Sequence, residues 1–313
     1  MLSNFFEIFL LISPVFILII LGNILRRIGV PDLSFWDVND KLVYWVLIPA
    51  LLFHHISQIN LSSSMFYSYG VVILSGLFIV TIVAITLGKL LGYSPESWSS
   101  ILQGASRHNA FIALAIAGSL FGDAGLAVGA VFMLLYVPSI NIVVISIMVS
   151  NLNQPGQTDS KKGIANIFVE LIKNPFILAM IAGLIFSLID SEKIVIIHET
   201  SGLLGSAALP IMLLTIGAKI KVRDLALKIT PILISNSLKL IAFPVIAYFV
   251  AKFMELSQLE VIVAVIFASV PTAASSHALA KQFGGDAQLM TSIVTTQVAL
   301  SFITIPVILA VIS

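Results

Sequence analysis

Ten stretches of about twenty mostly apolar residues, joined by short polar turns, leave this chain one suitable solvent, the hydrocarbon core of a bilayer. They cover residues 6–25, 38–56, 67–91, 100–121, 126–149, 167–189, 200–218, 230–251, 260–281 and 289–312. Composition agrees: 59% of the 313 residues are hydrophobic and 10% charged, against roughly 25% charged in an ordinary soluble domain. The mean hydropathy of +1.10 leaves no polar skin for a water-exposed surface. The expectation is therefore an all-α integral membrane protein. The first stretch lacks the basic start and small-residue cleavage site of a secretory signal, so it reads as a retained first span.

The net charge of +1 gives no bulk attraction for nucleic acid. The absence of cysteine excludes disulfides, thiolate metal sites and a cysteine nucleophile. No metal site or cofactor is expected, and no nucleotide-binding loop is visible, which disfavours ATP-driven transport.

The chain divides into halves. Ser150 to Gly163 (SNLNQPGQTDSKKG) has the Gly, Pro, Asn and Lys content of a solvated linker. The expected organisation is a first five-helix repeat over 1–150, a cytoplasmic linker over 151–164, and a second repeat over 165–313. Ser13-Pro14 opens the first span and Asn174-Pro175 the sixth, 161 positions on. Ile48-Pro49-Ala50-Leu51-Leu52 matches Leu209-Pro210-Ile211-Met212-Leu213 at the same offset of 161. Phe121-Gly122-Asp123 and Gly284-Gly285-Asp286 follow the fourth and ninth spans at an offset of 163 for the aspartates.

Loop charge gives the sidedness. One set of loops holds eleven basic residues: Arg26, Arg27, Lys41, Lys89, Lys161, Lys162, Lys219, Lys221, Arg223, Lys228 and Lys281. The opposite set holds Lys193 and Lys252. Basic loops stay cytoplasmic, so both termini are expected on the non-cytoplasmic side. Five helices per half then make the repeats inverted, a recurring design in secondary transporters.

Ionisable groups deep in a membrane usually face a cavity or pair with one another. The fourth span holds Ser106-Arg107-His108-Asn109, three polar side chains in succession that no lipid-facing helix could turn to one side. The ninth holds Ala268-Ser269-Val270-Pro271-Thr272-Ala273-Ala274-Ser275-Ser276-His277, where Pro271 removes a backbone donor. Both spans read as interrupted helices lining a polar cavity.

These spans also carry a resemblance. Arg26-Arg27, then Asn39-Lys41-Leu42-Val43-Tyr44 leading into Leu47-Ile48-Pro49-Ala50-Leu51-Leu52-Phe53, resembles the opening of the auxin efflux carrier family. Asn109-Ala110-Phe111 before Leu120-Phe121-Gly122, and Val270-Pro271 through Leu279-Ala280 before Phe283-Gly284-Gly285-Asp286, resemble its fourth and ninth helices. The family includes plant auxin exporters and bacterial malate and malonate permeases. The resemblance implies ten helices, the fourth and ninth broken and crossing at the membrane centre, with organic anions bound beside the crossing. By position, Asn109 matches the family's fourth-helix Asn and Pro271 its crossover Pro; Ser275 falls where relatives often have Asn. Relatives usually carry a Pro shortly after that Asn and favour Gly where this chain has Ala110 and Ala113. The fourth-helix break is therefore expected to be milder, or held open by Arg107 and Asn109.

The expected substrate site joins Asn109, Pro271 and Ser275, which the resemblance carries over, with Arg107, His108, Ser276 and His277 of the same interrupted spans. Arg107 is open to two readings, a bidentate fork for a carboxylate or a side chain reaching the cytoplasmic interface. Asn109 suits substrate binding or capping of the broken helix. Lys239, with Asn236 beside it in the eighth span, suits a titrating or cavity-facing charge, or a pairing with backbone carbonyls. His108 and His277 suit proton transfer or structural hydrogen bonding. Pro49, Pro210 and Pro271 are expected to break or pack helices. His54-His55 lack a third zinc ligand.

The expected function is secondary transport of small organic anions (malate- or malonate-like carboxylates or auxin-like acids) by alternating access where helices four and nine cross. Proton or sodium coupling and a homodimeric assembly stay open. A sodium-coupled carrier like the bile-acid symporters is the alternative, and a non-transporting ligand sensor a further one. An intramembrane enzyme is disfavoured, because the Gly-Asp segments at 122–123 and 285–286 lie at opposite faces. The expected location is the plasma membrane, the inner membrane of a bacterium.

Overall fold

The computed structural model describes residues 5–58, 63–152, 173–188, 195–220 and 228–312, and every regular element among them is helical. The linker beyond Leu152, the start of the sixth span, and Glu170, Lys161, Lys162, Lys193, Lys221 and Arg223 lie outside the described residues. Six described stretches are long and apolar enough to cross a membrane: Phe5–Arg27, Met65–Leu90, Pro95–Asn151, Val195–Lys219, Ile229–Phe253 and Ala287–Ile312. Pro175–Phe186 and Gln258–Ser269 are shorter and apolar. The protein is thus a helical integral membrane protein.

In chain order the helices are α1 (Phe5–Arg27), α2 (Leu33–Leu42), α3 (Ile48–Ile56), α4 (Ser63–Leu90), α5 (Pro95–Ser106) and α6 (Ala110–Asn151). They continue with α7 (Pro175–Phe186), α8 (Val195–Lys219), α9 (Ile229–Ser237), α10 (Phe243–Phe253), α11 (Gln258–Ser269), α12 (Ser275–Phe283) and α13 (Ala287–Ile312). The 57 residues of Pro95–Asn151 would run about 85 Å as one helix, nearly three times a hydrocarbon core. Two interruptions shorten the reach: residues 107–109 are extended, and Gly122 turns the chain at φ 58°, ψ −140°, a region closed to side chains.

Five-residue π turns join α2 to α3 (Val43–Leu47) and α9 to α10 (Leu238–Ala242). Each directly precedes a helix with proline in its second position, Pro49 or Pro244, which has no N–H for the regular ladder. The widened turn carries the helix past the proline, so Pro49 does not interrupt its span. Pro210 likewise does not break its helix, and of the two alternatives packing is left: α8 runs unbroken through it, without the bond to the Ser206 carbonyl. At Pro14 the corresponding Leu10 carbonyl is taken by Ser13 Oγ at 2.9 Å.

The helices pack as two groups. One holds α1, α2, α3, α7 and α8; the other holds α4, α5, α9, α10, α11, α12 and α13, with α6 touching both and α13 also packed against α1. Inside the first group α1 and α8 approach backbone to backbone. A Cβ on Gly22 would run into the Leu214 carbonyl, and one on Gly217 into the Ile19 carbonyl. The last turn of α8 is capped from α1: Asn23 Nδ2 donates to Gly217 O and Ile220 O, and Arg26 Nη1 to Ala218 O at 2.8 Å. Gly217 O also accepts from the Ile220 N–H at 3.2 Å, so these side chains matter most to the carbonyls of Ala218 and Ile220.

Candidate functional site

Helix α5 stops at Ser106 with no proline or glycine in the break that follows. Arg107 leaves the helix in an extended conformation (φ −70°, ψ 156°) while its N–H still reaches Gln103 O. Asn109 starts α6: its Oδ1 accepts from the N–H groups of Phe111 (3.2 Å) and Ile112 (3.3 Å). An Asn in this position satisfies donors that would otherwise face the apolar interior. The break is complete over three residues, so of the two alternatives, a milder break or one held open by side chains, the second applies. Side chains hold it open in place of the missing proline. Tyr136 donates to Ser106 O at 2.6 Å, and Gln297 Nε2 to Gly104 O at 2.9 Å.

The second break repeats this geometry. Helix α11 ends at Ser269, and Val270 (φ −66°, ψ 153°) donates to Ile266 O, as Arg107 does to Gln103 O. The chain stays non-helical until α12 begins at Ser275. The two breaks touch. Asn109 N–H donates to Pro271 O at 2.7 Å, and Thr272 Oγ1 to Gln103 O at 3.2 Å. Gln297, fully buried on α13, joins both: its Oε1 accepts from Thr272 N–H at 2.8 Å while its Nε2 holds Gly104 O.

A cavity of about 660 Å³ opens beside this junction. The α5–α6 break lines it with Arg107, His108, Asn109 and Ala110, and the α11–α12 break with Ala273, Ala274, Ser275 and His277. The first helix group faces them with Tyr44, Asn174, Phe176, Met212 and Thr215. Lys219 and Asp40, paired at 2.8 Å, also line it. Arg107 Nη1 donates to Asn141 Oδ1 at 3.0 Å, so the side chain is held at the cavity wall rather than reaching for the interface. Arg107 Nε and both ring nitrogens of His108 are buried without a protein partner. The His108 ring packs edge-on against Tyr136, with centroids 4.0 Å apart.

A second cavity of about 500 Å³ lies between α6 and the first helix group, walled by α1, α3 and α8, and is lined by Pro14, His54, His55, Ser119, Asp123, Ser206 and Pro210 among others. Along α6 the first cavity touches Ala110 and Phe111 and the second begins at Ala115. Along α8, Met212 lines the first and Leu213 the second. The two cavities are therefore about one helical turn, or roughly 6 Å, apart along α6 and adjoin along α8.

Of the residues singled out in the sequence, Arg107, His108, Asn109, Ser275 and His277 share the first cavity. His277 Nδ1 is 2.9 Å from Thr291 Oγ1 and 3.0 Å from Ala287 O, which ties α12 to α13. Pro271 and Ser276 are buried behind the cavity, with Ser276 Oγ 3.5 Å from Thr272 Oγ1. Asn236 donates to Thr296 Oγ1 at 3.1 Å. Lys239, fully buried in the second π turn, donates to Phe267 O at 3.4 Å. It therefore takes the backbone-pairing reading left open above, and it does not line the cavity.

Gln297, Tyr136 and Asn141 escaped the sequence reading. Each is a single polar group in an otherwise apolar span, which was the available signal.

A family model described as "membrane transport protein" matches residues 7–309. An uncharacterized transporter of Methanothermobacter thermautotrophicus is 23% identical over 307 residues, covering 94% of this chain and 95% of that relative.

Proposed function

The chain belongs to the membrane transport protein family, that of the auxin efflux carriers, and from that premise we propose that it is a secondary carrier of small organic anions. The observation that carries this reading is the cavity at the touching breaks, with Arg107, His108 and Asn109 on one wall. The helix starts of α6 and α12 border the same space at Ala110 and Ser275. Helix N-termini favour anions through their free N–H groups and dipole. Arg107 keeps donors for a carboxylate, because Asn141 holds only one edge of its guanidinium. The volume falls within the range of small-molecule sites.

Alternating access follows from the second cavity. Two cavities that share walls on α6 and α8, about one turn apart along α6, need only a modest helix shift to pass a ligand from one to the other. Inverted five-helix repeats would supply both end states. The matched backbone at Arg107 and Val270 supports that organisation. So do contacts joining loops of one expected side, such as Lys228 with Asp286. The proposed location is the plasma or bacterial inner membrane, with both termini outside.

Purified protein in liposomes should accumulate or exchange labelled mono- and dicarboxylates. Arg107→Ala and Asn109→Ala should lower uptake far more than Ser301→Ala, whose hydroxyl bonds only its own helix. No flux across a broad carboxylate panel, with protein that still unfolds cooperatively, sinks the proposal. Binding without flux would instead indicate a sensor.

A further inference from the structure

Two half-helices, α5 and α11, stop at the crossing with their C-terminal ends inside the protein. Each such end carries about half a negative charge, so together they place roughly one unit of negative charge where there is little water to screen it. In carriers with broken helices, such ends and the unwound carbonyls beside them are where a coupling sodium ion or proton is held. Here the carbonyls are taken by the chain's own donors. Gln103 O accepts from Thr272, Gly104 O from Gln297 and Ser106 O from Tyr136. At the end of α11, Phe267 O accepts from Lys239 Nζ at 3.4 Å.

Lys239 is 0% exposed and lies 4.8 Å from the centre of the Phe243 ring, which offers its negative face to a cation. The ion pairs among the described residues are Lys219–Asp40 and Lys228–Asp286, and neither involves Lys239. A buried ammonium without a carboxylate persists where partial charges compensate it. At Lys239 those are the α11 terminus and the aromatic face.

We propose that Lys239 is the tethered cation of the crossing, occupying the end of α11 in place of bound sodium. Its consequence for coupling, a carrier that does not use the sodium gradient, rests on the carrier reading above. The ion chemistry itself does not.

The test needs neither substrate nor flux, so it fails separately from the transport assay. Protein in lipid nanodiscs is unfolded by heat in sodium chloride and in choline chloride, and binding of radioactive sodium is measured directly. The wild-type protein should melt at the same temperature in both salts and bind no sodium. Saturable sodium binding, or stabilisation by sodium over choline, would overturn the proposal. The buried acceptors Gln103 Oε1 and Asn236 Oδ1, which have no partner, would then be the suspected ligands. Lys239→Ala should melt lower and gain a stabilisation by sodium that choline does not give. A Lys239→Ala protein as stable as wild type, or indifferent to sodium, also overturns it. Should that variant not fold, the wild-type arm decides alone.

Discussion

Replacing Gln297 with Leu removes two short hydrogen bonds to backbone groups and a longer one, from Nε2 to Ser235 Oγ at 3.5 Å. Thr272 N–H loses Oε1 at 2.8 Å, and Gly104 C=O loses Nε2 at 2.9 Å. Leu occupies a similar volume, so a cavity contributes little. Orphaning a buried backbone group costs about 1–3 kcal/mol, which gives roughly 2–6 kcal/mol for the pair. Hydrogen bonds between membrane helices average only about 0.6 kcal/mol, because the unfolded state also finds partners. That average sets a floor near 1 kcal/mol. Gln297 is fully buried and both lost partners are backbone groups, so the upper part of the range applies, about 2–4 kcal/mol. Reversible unfolding in mixed micelles would measure it. Ser301→Ala, which removes a bond to Val298 O in the same helix, serves as the control and should stay within about 0.5 kcal/mol of wild type. A Gln297→Leu protein equally close to wild type would refute the claim that this side chain joins the two breaks.

Three further outcomes follow from particular contacts. Tyr136→Phe should destabilise by about 1 kcal/mol, since Ser106 O loses its 2.6 Å donor; unchanged unfolding would contradict that role. Gly217→Ala should cost roughly 1–3 kcal/mol, because its methyl meets the Ile19 carbonyl; wild-type stability would show that α1 and α8 have room to separate. Burial pushes the Asp286 carboxyl up, but Lys228, the Leu289 N–H and Ser97 outweigh it and hold the group below its ordinary range. A depressed folded-state value stabilises the protein above the unfolded-state value and is lost as the pH falls through the folded one. Melting temperature should therefore drop below about pH 4, and Asp286→Asn should flatten that part of the profile; identical profiles would remove Asp286 from the account.

The sequence disclosed the breaks because their residues conflict with a lipid-facing helix. Arg107, His108 and Asn109 point three ways, and Pro271 lacks a donor. Their completion was hidden. Gln297 and Tyr136 act on carbonyls 193 and 30 positions away, and a lone polar residue in an apolar span does not say what it faces. Lys239 was visible as a charge, but its partner is a backbone carbonyl made available only where α11 ends. Pro210 left breaking and packing both open. One missing bond inside a well-packed membrane helix is tolerated, so proline alone did not mark an interruption.

The chain contains no cysteine, so a single introduced thiol reports on one position without background. Ser275 is exposed at the cavity wall. The decisive measurement is carboxylate uptake by Ser275→Cys protein in liposomes, before and after complete reaction with a bulky, membrane-impermeant maleimide. If the cavity beside the touching breaks is the transport path, modification should abolish uptake in the variant and leave the cysteine-free wild type unaffected. Full-rate uptake by the fully modified variant would place the path elsewhere.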